Sequence, residues 1–217
     1  MTGPRPAGDG PRPAGDGQGP NEPKRRPVLR AALSPPAEGI DPAARLAAAE
    51  TTAAEVLRRG HADDAGQAEV ETLVRLADEV GLDELAEVWG WAEPGSLPAA
   101  LWACYALRAW CRTRPEEVEA LVRAGAPHAE VAASIVGLPV VPGREDLRAL
   151  GDELVRGVVS RDVPTGLHRA AAFARVLAAG RGASGPEDTD QGRLGHRLLS
   201  TADALEYAAR RASGRPG

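Results

Sequence analysis

Aromatic side chains are scarce in this chain of 217 residues: four Trp, two Tyr and one Phe. A core of normal size must then be built from Ala, Leu and Val, and the few large rings concentrate packing wherever they fall. Cysteine is rarer still, with only Cys104 and Cys111. Seven residues apart on one helix, their Cα atoms stand about 10.5 Å apart, too far to bridge within the chain. They read as small buried hydrophobes of a reducing cytoplasm. No apolar segment follows Met1 as a secretory leader would, and no run reaches the ~20 apolar residues of a membrane span. Catalytic signatures are also missing: there is no G-x-S-x-G, P-loop, H-E-x-x-H, C-x-x-C or Glu-x-x-His. Without a nucleophile, phosphate cradle or ligand set at a known spacing, the expectation is no cofactor, no metal and no visible turnover chemistry.

The net charge is −5, but it is unevenly spread. Residues 1–27 carry five basic and three acidic side chains, a net +2, which leaves −7 on the rest. This first segment repeats PRPAGDG at Pro4–Gly10 and Pro11–Gly17. Pro and Gly at that density cannot bury a core, so residues 1–27 are expected to be a disordered basic tail and residues 28–217 one folded domain. The tail ends in Lys24-Arg25-Arg26, which with Arg30 makes a short basic arm able to touch nucleic acid or an acidic protein, or simply to solubilise. Val28–Leu33 predicts a short helix that docks on the body before Pro35-Pro36 ends it. The acidic body does not by itself attract nucleic acid.

What is present is concentrated in Ser96–Arg112, SLPAALWACYALRAWCR. Ser96 suits an N-cap and Pro98 a first turn. At 100° per residue this helix is apolar nearly all round, interrupted only by Arg108 and Arg112 beside Tyr105, and such a helix is covered on several sides. All four Trp (Trp89, Trp91, Trp102, Trp110) lie on it or just before it. Trp102 and Trp110 are expected to be mostly buried; the alternative is a partly exposed aromatic groove for a ligand or partner. Arg108 and Arg112 must be paired or reach solvent. Either they meet carboxylates such as Glu84, Glu87, Glu116 or Glu119, or they line a cleft that accepts an anion.

The remaining chain shows helical spacing throughout and no sustained period-2 alternation. Asp41-Pro42 opens a helix closed by Gly60, and Asp63 or Asp64 caps a second that runs to Val80. Asp83–Trp89 makes a short third. Thr113-x-x-Glu116 fits a capping box for a helix closed by Gly125, and Pro127 opens another with Val131, Ile135 and Val136. Two further helices carry Leu147–Val158 and, capped by Thr165, Leu167–Leu177, the latter closed by Gly180. A polar, flexible loop at Arg181–Gly192 leads to a last helix, Arg193–Ala212, with Leu194, Leu198, Leu205 and Ala208 facing inward. The expected fold is therefore all-α: about nine packed helices around the buried Leu97–Cys111 helix.

Weaker motifs have plain structural readings. Gly180–Gly185 matches G-x-G-x-x-G, but a helix precedes it where a strand is needed. His61, Asp63 and Asp64 share a loop and suggest helix capping before a metal. His128, His168 and His196 stand singly on helices. Ala129–Pro139 has the form of the first half of a helix-turn-helix, but Pro139, Pro142, Glu145 and Asp146 stand where the DNA-reading helix should begin.

In the runs Leu101–Arg112 and Ala170–Gly180, and in its Ala- and Arg-rich usage, the body resembles uncharacterised actinobacterial all-helical proteins. That resemblance implies a helical fold and no particular activity. The sequence favours a non-enzymatic domain that binds another protein, with Arg193, Arg197, Arg210 and Arg211 of the last helix as candidate contacts. A nucleic-acid accessory role through Lys24, Arg25, Arg26 and Arg30, and a small-anion cleft along Arg108, are the alternatives. Oligomeric state is open.

Overall fold

A computed structural model describes residues 41–137, 139, 142–160, 162–182 and 190–214. The expected tail (1–27), the basic arm at Lys24, Arg25, Arg26 and Arg30, and the Val28–Leu33 segment lie outside the described residues. Ten α-helices are described, and no strand occurs among the described residues. They are α1 (Pro42–Gly60), α2 (Gln67–Val74), α3 (Leu76–Val80), α4 (Leu82–Trp89), α5 (Leu97–Thr113), α6 (Pro115–Gly125), α7 (Glu130–Val136), α8 (Arg144–Val159), α9 (Val163–Gly180) and α10 (Asp190–Ala212), with a 3-10 turn at Ala126–His128. The fold is all-α, as the periodicity requires.

Local chemistry sets several boundaries. Asp41 accepts from Ala43 N–H at 3.3 Å, and Ser96 Oγ accepts from Ala99 N–H at 3.4 Å. Each covers an amide that an isolated helix start leaves unpaired. Other caps differ from expectation. Gly66, not Asp63 or Asp64, precedes α2, and the helix expected to run on to Val80 breaks at Arg75. Thr113 ends α5 instead of capping α6, its hydroxyl donating back to Ala109 O at 2.8 Å. Asp162, not Thr165, caps α9 by accepting from Thr165 N–H at 3.0 Å. The last helix starts at Asp190, inside the expected polar loop.

One hydrophobic core runs through the body. Helix α5 packs against α1, α4, α6, α8, α9 and α10. Helix α9 shares the centre, contacting α6, α7, α8 and α10. Its buried positions include Ala170, Ala171, Ala172, Ala174 and Ala178 around Phe173 and Leu177. These small side chains let neighbouring helices approach closely without leaving voids. At two positions of the α6–α9 crossing only glycine fits. A Cβ on Gly180 would sit 2.1 Å from Leu121 O, and one on Gly125 would sit 2.0 Å from Val176 O. Both glycines read in sequence as helix stops; in the fold they are the contact points of α6 and α9.

Inward-facing expectations hold for Leu205 and Ala208 but not for Leu194, which is exposed. On α7 only Val136 is buried; Val131 is 77 % exposed and Ile135 53 %. Helix α8, which follows the helix-turn-helix-like segment, buries Leu147, Leu150, Leu154 and Val158 in the core and exposes the acidic Glu145, Asp146 and Glu153.

Candidate functional site

Helices α5 and α10 flank a groove of about 410 Å³. On the α5 side, Ala99, Ala103 and Ala106 line it at helical spacing between Trp102 and Trp110. On the α10 side stand Leu198, Thr201, Ala204 and Leu205, and the connection through Ala92, Pro94 and Gly95 closes one end. The small side chains on α5 leave the space between the walls unfilled, and the Trp102 and Trp110 rings border that space. Trp102 and Trp110 pack against the core from the groove side and are mostly buried, as expected, though neither is enclosed completely. Trp89 is the ring that fills the core: it is 0 % exposed, stacks on Tyr105 at 6.1 Å between centroids, and donates its N–H to Thr52 Oγ1 at 3.0 Å. The Trp102 indole N–H has no hydrogen-bond partner among the described residues.

Charged groups frame the groove. Trp110 donates its N–H to Glu117 Oε2 at 3.0 Å, and the Arg181 guanidinium lies 5.8 Å from the Trp110 ring centroid while pairing with Glu117. Partial burial of Glu117 opposes its charge, but the bond from Trp110 and the nearby Arg181 and Arg114 outweigh it and hold the carboxyl below its ordinary range. The Trp110 end is thus a rigid, charge-neutralised frame. Near the opposite end, Arg45 stacks over the Trp91 ring at 4.7 Å.

The residues expected to form an anion cleft do something else. Arg108 is buried, with 1 % of its side chain exposed. Its Nε donates to Asp152 Oδ1 at 2.7 Å, and its two terminal nitrogens donate to Asp78 at 2.9 and 2.7 Å. Arg112 joins Asp152 at 3.4 Å. Two cations therefore meet two carboxylates, and the guanidinium plane is filled by protein acceptors on two sides. The pairing alternative is the one observed, with Asp78 and Asp152 as the carboxylates instead of Glu84, Glu87, Glu116 or Glu119, and Arg108 faces no vacant anion cleft. The neighbouring thiols are sealed in as well; burial pushes Cys104 and Cys111 up to about 12. Burial likewise raises the Tyr105 hydroxyl, which donates to Leu73 O at 2.6 Å.

The last-helix arginines do not act as one cluster. Arg193, Arg197, Arg210 and Arg211 are all exposed. Arg193 pairs with Asp190, and Arg210 lies 3.9 Å from Glu206 and over the Tyr207 ring. Arg197 adjoins the groove, one turn before Thr201, whose hydroxyl donates to Arg197 O at 2.9 Å. Arg211 lines a separate depression between α1 and the end of α10. His61 lies 3.4 Å from Val158 O, and burial lowers its pKa, whereas Asp63 and Asp64 point to solvent. Among the described residues no three His, Cys, Asp or Glu side chains group as metal ligands. Nor is any described helix long and apolar enough to cross a membrane.

No family model matches the chain. No curated protein and no solved structure matches it either. The groove is therefore read on its own residues.

A second depression, about 960 Å³, lies over α9 between α7 and α10 and was not anticipated in the sequence. Its floor follows His168, Ala172, Arg175 and Ala179, and exposed Val131 and Ile135 form one wall. Arg175 is held inside it by Glu206 and by Asp203 at 2.8 Å. The signal was present in Val131 and Ile135, which share a side at i, i+4. A seven-residue helix is too short for spacing to tell an inward face from an outward one.

Proposed function

We propose that this domain acts by binding, and that the α5–α10 groove receives the apolar face of a short helix from a partner protein. The observation that carries this reading is the pair Trp102 and Trp110, partly exposed about two turns apart along an alanine-lined groove. Trp is the residue most enriched at the energetic centres of interfaces, because it removes a large apolar area from water while losing little rotamer freedom. A groove between two splayed helices accepts a third helix through anchors at i, i+3, i+4 and i+7. The volume also lies in the range of pre-formed ligand sites, about 300–1,000 Å³. Arg197 and the Arg181–Glu117 pair supply the polar rim that such interfaces carry around an apolar centre.

The test is to fill the groove. Ala103→Leu adds three carbons where the partner's side chain would sit, in a half-buried position that tolerates them. Partner capture from native lysate should drop to background for this variant, while its melting curve matches the wild type. Undiminished capture of the same proteins would remove the groove as the interface.

A further inference from the structure

We propose that the depression between α1 and the end of α10 is a second binding site, and that it takes a small apolar zwitterion: an α-amino acid with an apolar side chain, or a dipeptide of such residues. The proposal is independent of the α5–α10 groove, with which this cavity shares only Gly95 among its lining residues. The first support is shape and lining. The cavity holds about 480 Å³, within the ~300–1,000 Å³ of pre-formed ligand sites. Four helices meet around it: α1, the start of α5, the start of α9 and the end of α10. Leu167 and Ala208 are buried beneath it, whereas Leu57, Leu97 and Val163 pack on the core and stay partly exposed. Three large apolar side chains from three helices thus converge on a space that no described side chain fills, and an apolar ligand group entering it would take them out of water.

The second support is charge. Glu50, His61 and Arg211 line the same cavity. Glu50 and Arg211 make no ion pair or side-chain hydrogen bond, either with each other or with any other described residue. Arg175, in the depression over α9, shows the contrast, since Glu206 and Asp203 already hold it. His61 lies 3.4 Å from Val158 O, and burial lowers its pKa from the ordinary 6.5, so it is neutral at pH 7. The lining therefore offers one unmet carboxylate, one unmet guanidinium and no other charge. A ligand with only a carboxylate would meet Arg211 but face Glu50, and a ligand with only an amine would meet the reverse. A zwitterion answers both, so the opposed charges select by repulsion as well as by attraction. The planar fork of Arg211 suits the carboxylate end, because it can place two parallel N–H bonds on one carboxylate. The ammonium end supplies three donors for Glu50. The apolar side chain then fills the space bordered by Leu57, Leu97 and Val163.

The experiment is isothermal titration calorimetry on the full chain with four probes: leucine, leucyl-leucine, leucinamide, which lacks the carboxylate, and 4-methylpentanoate, which lacks the amine. Leucine or leucyl-leucine should bind at least about fivefold more tightly than both single-ended probes. The tighter of the two gives the length of the ligand. Glu50→Gln should weaken the zwitterion and strengthen 4-methylpentanoate, whereas Arg211→Gln should weaken the zwitterion and strengthen leucinamide. Both side chains are exposed, so neither change should move the melting curve. Opposite shifts in preference on an unchanged fold place the ligand between the two residues, a result that a merely structural role would not produce. No binding of either zwitterion, equal binding of all four probes, or preferences that both variants leave unchanged would each overturn the proposal.

Discussion

Arg108 and Asp78 meet in a two-pronged ion pair, Nη1 to Oδ1 at 2.9 Å and Nη2 to Oδ2 at 2.7 Å, across thirty residues of sequence. The guanidinium is buried, whereas Asp78 is 42 % exposed, so the pair is asymmetric: the arginine needs the carboxylate more than the reverse. Asp78→Ala should destabilise by about 2–3 kcal/mol, because Asp152 still satisfies Nε. Asp78→Ala with Asp152→Ala should exceed the sum of the two single changes, because the buried charge then loses every partner. Urea unfolding of the three variants measures this. Strict additivity would show that the carboxylates act independently.

The same geometry sets a pH dependence. Hydrogen bonds from Arg108 hold the Asp78 carboxyl below its ordinary 3.8. A depressed native pKa means the unfolded chain binds the proton more readily. The stabilisation is therefore complete above about pH 4 and fades as pH falls through the lowered native value. The melting temperature of wild type should fall more steeply below pH 4 than that of Asp78→Asn. Parallel curves would count against the pair.

Trp89 and Trp110 should separate by burial. Trp89→Ala opens a cavity against Tyr105 and strands Thr52, and should cost about 3–5 kcal/mol. Trp110 is partly exposed, so Trp110→Ala should cost only about 1–2 kcal/mol. Equal losses would place Trp110 in the core and leave the groove without its second ring.

Glycine at the α6–α9 crossing should resist change. Gly180→Ala drives a Cβ into Leu121 O and should destabilise by at least about 1–3 kcal/mol, whereas Gly66→Ala, with nothing within 4 Å, should stay within about 0.5 kcal/mol. Chemical denaturation of the two variants makes the comparison.

What the sequence showed depended on the range of the interaction. Asp41 and Ser96 were legible as caps because the N–H groups that donate to them lie two and three residues on. The all-helical class was legible because apolar spacing repeats over whole helices. The partners of Arg108 were not, since Asp78 and Asp152 lie 30 and 44 residues away on other helices. Gly125 and Gly180 end their helices, as read, but their second use depends on a neighbour's backbone that no local pattern reveals. The groove lay between these cases. The Trp concentration on α5 was plain, yet which rings face the core depends on where α10 packs, and α10 is set by α9. Trp89, just before α5, is the ring the core encloses completely, while Trp102 and Trp110 pack on the core and border the groove.

The most direct measurement of the groove as the working surface is energy transfer from tryptophan to bound anilinonaphthalene sulfonate, with and without Ala103→Leu. The groove account predicts transfer that saturates with dye and vanishes with Ala103→Leu while the helical signal stays unchanged. Saturable dye binding that Ala103→Leu leaves intact would contradict it.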